Sequence, residues 1–136
     1  MHNGQLRLDL WHFPQLAGSA IMALVSSMAS SAFILMVATL CRSRKQLEGL
    51  STILILIMSA LGGSMMPRFI MPQFVLDLSH VTFNSWAMDG FLDVFWHHIP
   101  GENIFLSIAG EVGVILAMTA GFLTAASVFS RRWDVK

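Results

Sequence analysis

The chain has 136 residues, 55% of them hydrophobic and only 12% charged, about half the charged share usual for a soluble domain, and its mean hydropathy is +0.68. That composition points to a membrane and leaves room for one domain, residues 1–136, with no cofactor-binding domain beside it. A net charge of zero lacks the basic surplus needed to hold nucleic acid, and a single cysteine, Cys41, excludes an intrachain disulfide.

The N-terminal stretch MHNGQLRLDLWHF has no basic region followed by an apolar one, so no cleaved signal peptide is expected. A membrane helix needs about 20 predominantly apolar residues. Three segments meet that need: about 16–41, 49–67 and 104–130, the last with one charge, Glu111. The apolar piece from Phe69 to Val75 is too short to cross. The expected fold is therefore all-α and integral to the membrane. It has three spanning helices and short re-entrant or interfacial helices in the outer segment, 68–103.

That outer segment begins where the second span breaks, at LGGSMMPRFIMP. Gly62 and Gly63 loosen the helix, Pro67 cannot donate to it, and Pro67 and Pro72 each disfavour helix at the residue before. The piece after the break is still apolar, so residues 67–78 are predicted to fold back as a short re-entrant or interfacial helix. A second helix is predicted from about Asn84 to His98, capped by Asn84 or Ser85 and stopped by Pro100-Gly101. Ala87, Phe91, Val94 and Phe95 share one of its faces, and Trp86 and Trp96 suit the headgroup level. The two pieces together would cap the outer ends of the spans.

Basic residues orient the spans. Arg42, Arg44 and Lys45 lie between the first two, and Arg131, Arg132 and Lys136 follow the third. The 68–103 segment carries Asp77, Asp89, Asp93 and Glu102 against Arg68 alone. The C-terminus is then cytoplasmic and the N-terminus outside. An outside N-terminus without its own translocation signal suits a loop that follows an earlier helix, so the chain looks like the second half of something larger.

Two stripes of small residues run at steps of four: Ser19, Ala23, Ser27 and Ser31 on the first span, and Ala109, Gly113, Ala117, Gly121 and Ala125 on the last. Membrane helices associate through such residues, so both stripes read as helix contacts. A serine-lined path on the first helix is the sharper alternative. Glu111 is the one intramembrane charge, a functional candidate by default, or a structural partner of Arg68. His97 and His98 point about 100° apart and lack a completing Cys or Glu, so no metal is expected. No nucleophile–base pair and no phosphate-binding glycine loop is present, so no catalytic residue is assigned.

The run Cys41-Arg42-Ser43-Arg44-Lys45-Gln46 after a helix is followed by Gly62-Gly63-Ser64, Pro67 and Pro72. Then come Thr82-Phe83-Asn84-Ser85-Trp86-Ala87, Asp89-Gly90-Phe91 and a last helix closed by Arg131-Arg132. In this order and spacing, across about residues 16–133, the chain resembles the permeases of the ABC-2 family, membrane subunits of many ATP-driven exporters. Phe83 departs from the pattern, since many members have proline before the tryptophan. The resemblance implies spans four to six of a six-span permease in the bacterial cytoplasmic membrane. It also implies a nucleotide-binding ATPase subunit on another chain, and a second permease half or copy as partner. Gly62, Gly63, Pro67, Pro72, Asn84 and Trp86 would be structural motif residues, with the outer helices as an extracellular gate. A small stand-alone membrane protein that regulates a larger complex is the alternative, and an intramembrane enzyme is the third.

Overall fold

The computed structural model describes residues 3–63, 70–96 and 103–131, with side chains from Phe13 onward in the first helix. Among the described residues six α-helices follow one another: α1 (Asn3–Leu40), α2 (Arg44–Leu61), α3 (Gln73–Ser79), α4 (Phe83–Phe95), α5 (Ile104–Ser107) and α6 (Ala109–Ser130). The segment before Gln15, expected to be a loop, continues α1 as helix through Pro14. Among the described residues, Phe13–Leu40 and Ala109–Ser130 are long and apolar enough to cross a membrane.

The second helix differs from the expected span 49–67 at both ends. It starts at Arg44 because Ser43 caps it, in extended backbone, accepting from the Gln46 N–H at 3.2 Å. It ends at Leu61, where Gly62 caps the last turn and Gly63 takes φ 83, a left-handed conformation open to glycine. The break therefore falls on the glycines, ahead of Pro67. Pro67, Arg68, His97 and His98 lie outside the described residues. The span expected over 104–130 is also divided, since Ile108 (φ −85, ψ −1) turns the chain between α5 and α6. This kink brings Ile104 against α1 while Ile108 stays in the core.

Contacts along the helices set their directions. A Cβ at Gly18 would lie 3.1 Å from Ile104 Cγ2 and 3.3 Å from Val94 Cγ2. Further down, Gly90 sits against Met22 and Glu111, and deeper still the rings of Phe33 and Phe122 are 5.4 Å apart. Residue numbers rise together on α1 and α6, so these two helices are parallel. On α4 they fall: Val94 meets Gly18, Gly90 meets Met22, and Phe83 meets Phe33 at 6.0 Å. Helix α4 is thus antiparallel to both and wedged against them.

This corrects the expected cap. Helix α4 does not lie across the ends of the spans; it stands beside α1 from Gly18 down to Phe33, about 20 Å at 1.5 Å per residue. The cause is its buried face, Ser85, Ala87, Gly90 and Val94, whose small side chains admit neighbouring helices closely. Phe95, expected on that face, is 55% exposed. Trp86 is half-buried in the first turn of α4.

The core reads Met22, Val25, Ala29, Ala87, Val94, Ile108 and Ile115. The stripes of small residues do not form it. Ala23, Ser27 and Ser31 on α1, and Ala109, Gly113, Ala117 and Gly121 on α6, face outward, and a Cβ at Gly113 or Gly121 would meet nothing within 4 Å.

Candidate functional site

The break after α2 and the start of α4 meet at one junction. Asn84, one residue into α4, donates from Nδ2 to the Met58 carbonyl at 3.3 Å. That same carbonyl accepts the Gly62 N–H at 2.8 Å, so one oxygen holds the end of α2 and the start of α4 together. Gly62 is pressed against the Asn84 side chain so closely that an added Cβ would collide with Nδ2 and lie 2.9 Å from both Cβ and Cγ. Two of the motif residues, 22 positions apart in sequence, are therefore direct neighbours, and Gly63 supplies the turn beside them.

Backbone that leaves a helix among apolar surroundings must find other hydrogen-bond partners. The turn from α3 to α4 supplies them from side chains. The Pro72 carbonyl accepts the Val75 N–H at 2.9 Å and opens α3. Trp86 Nε1 donates to the His80 carbonyl at 2.8 Å, and the two rings are 5.4 Å apart. Ser85 Oγ donates to Ser79 Oγ, which donates to the Leu76 carbonyl. The N-cap is Thr82, earlier than the expected Asn84 or Ser85; its Oγ1 accepts the Ser85 N–H and donates to the Ser79 carbonyl at 2.7 Å. With Thr82 as cap, Phe83 is the first helical residue, where proline is also well accommodated. Here its ring packs on Phe33 and Phe122 instead, at 6.0 and 6.3 Å.

A cleft of about 220 Å³ opens beside this junction, between Phe33 and Ile34 of α1, Ile55 and Met58 of α2, and Phe83 and Asn84 of α4. Glu111 is elsewhere, beside the middle of α4. Its Cβ faces Gly90, and its Oε2 is buried with no hydrogen-bond partner among the described residues. No group of three or more His, Cys, Asp or Glu side chains that could hold a metal is found among the described residues. The sequence reading missed the roles of Met22, Gly90 and the Phe33–Phe83–Phe122 cluster. Glycine in the middle of an otherwise bulky helix was the one visible sign of a close approach there.

Over residues 5–96 the sequence matches the family described as ABC-2 type transporter. The chain belongs to the ABC-2 type transporter family. The matched stretch holds α1 to α4 and hence the whole junction of Gly62 with Asn84. No curated protein and no solved structure matches the chain. As an ABC-2 family member it is an integral membrane transport component, and that role is not itself catalytic. In this arrangement α4 is held at its base by α2 and lies along two long apolar helices.

Proposed function

We propose that this chain is the permease component of an ATP-driven exporter, supplying the part of the translocation path equivalent to spans four to six of a six-span permease. Its ATPase is a separate nucleotide-binding subunit, and a second permease half or copy completes the path. The observation that carries the reading is the packing of α4 against two parallel apolar helices in a chain of the ABC-2 family. Parallel α1 and α6 fit an outside N-terminus and a cytoplasmic C-terminus in the bacterial cytoplasmic membrane, with α2 and then α4 returning the chain in two steps. Basic residues at both the α1–α2 turn and the end of α6 support the same orientation.

On this reading α4 is the gate and Gly62, Gly63, Pro72, Asn84 and Trp86 hold its base. Glu111 lies toward the outer mouth. The test is to lock α4. Gly18→Cys with Val94→Cys, in a Cys41→Ser background, places two sulfurs on positions already in van der Waals contact. In the assembled exporter, oxidation is expected to stop ATP-driven efflux and reduction to restore it. Efflux that continues at the parent rate with the cross-link fully formed overturns a gating role for α4.

A further inference from the structure

Leu40 is seven positions beyond Phe33, and Ser130 is eight beyond Phe122, so the parallel α1 and α6 end within about one residue rise of each other. Three exposed basic side chains are thereby brought to one end of the bundle from two distant segments: Arg44 and Lys45 at the start of α2, and Arg131 after α6. Arg42 is exposed in the turn between them, where its N–H is held by Gln46 Oε1 at 3.1 Å. None of Arg44, Lys45 and Arg131 has an ion pair or a side-chain hydrogen bond among the described residues. The link from α1 to α2 is only Cys41–Ser43, so this charge cannot project beyond the helix ends.

We propose that this end is a seat for the headgroup of an anionic phospholipid. Arg44, Lys45 and Arg131 supply positive charge at the level where α1 and α6 leave the hydrocarbon, the level of lipid phosphates. A short turn keeps them at that level. Basic residues at a membrane surface each add about 1 kcal/mol of attraction to anionic lipid, equivalent to about five-fold in affinity. Glu48 stands one turn beyond Arg44 on α2, exposed, and offsets part of this charge.

The test is the phospholipid retained by the full chain purified from bilayers of equimolar phosphatidylglycerol and phosphatidylcholine. The parent is expected to retain phosphatidylglycerol in excess, and high salt is expected to lower that excess by screening. Arg44→Gln, Lys45→Gln and Arg131→Gln are each expected to reduce the excess up to five-fold, and the triple variant to bring it to the bulk ratio. The charge-keeping triple of Arg44→Lys, Lys45→Arg and Arg131→Lys should retain it, and Glu48→Gln should raise it. Retention at the bulk ratio by the parent overturns the proposal. So does an excess that survives the neutral triple while binding of a nucleotide-binding subunit is lost, because the surface then docks protein.

Discussion

Gly62 and Gly90 both lie against a neighbour too closely for a Cβ, yet the two are not equivalent. At Gly90 the obstacle is the methyl end of Met22, the flexible tip of a long side chain, and Glu111 Cβ is at an ordinary 3.4 Å. At Gly62 the obstacle is Asn84 from Nδ2 back to Cβ, which cannot move without its helix. Gly62→Ala should therefore cost about 1–3 kcal/mol of stability as overpacking, and Gly90→Ala clearly less. Thermal unfolding in detergent checks the order; equal losses would mean that the junction is no stiffer than the Met22 contact. Gly63→Ala is expected to cost about 1–2 kcal/mol for its left-handed backbone alone. Glu111 offers the opposite sign. A buried polar atom without a partner costs about 1–3 kcal/mol, so Glu111→Met, of similar size, is expected to raise the unfolding temperature. A fall would show that the carboxylate has a partner in the assembled protein.

Among the elements, α4 decides the architecture. Its base is tied by Asn84 to the Met58 carbonyl, its middle by Gly90 to Met22, and its first ring to Phe33 and Phe122. Aromatic pairs of this kind add about 0.5–1.5 kcal/mol each beyond the area they bury. Phe83→Leu should loosen α4 from α1 and α6 by about that amount for each of the two contacts, read as a lower unfolding temperature. A scan of spin labels from Val81 to Trp96 gives an independent check: accessibility should oscillate with the helical period, with minima at Ser85, Ala87, Gly90 and Val94. A single water-exposed face along the whole of α4, with the other face in lipid, would return it to the membrane surface.

For the whole molecule the notable property is how little of the apolar surface is used internally. Only 11% of the most apolar stretch of α6 is buried, and α2 buries no residue at all. The outward stripe of Ala109, Gly113, Ala117 and Gly121 is open, so bulk added there leaves this chain's own packing intact. Gly113→Leu and Gly121→Leu are therefore expected to leave unfolding of the isolated chain unchanged. Each should still weaken its association with the rest of a permease by about 1 kcal/mol or more. Co-purification with the partner half, measured against the parent, separates the two effects; undiminished assembly would place the stripe against lipid.

Composition alone made this a helical membrane chain, and local chemistry placed several of its boundaries. The Gly62-Gly63 pair stops α2 because one residue must adopt φ 83, and Pro72 opens α3 because its carbonyl starts the next turn. The family could be read from the order of those same residues, which is carried on the chain itself. What lay beyond the sequence was which face meets which neighbour. In a membrane helix small polar and apolar residues can both make helix contacts, so nothing in the residue types decided whether the stripe of Ser19 to Ser31 or the side of Met22, Val25 and Ala29 faces inward. The small-residue stripes were for that reason visible in the sequence, but their outward direction within this chain was not. Likewise the face of α4 that holds Ala87 and Val94 would suit a lipid surface as well as a groove between helices. Only the tertiary structure chose the groove, because Gly90 lets Met22 approach and Asn84 finds its acceptor on a carbonyl 26 residues away. A contact between positions so far apart leaves no periodic trace along the chain.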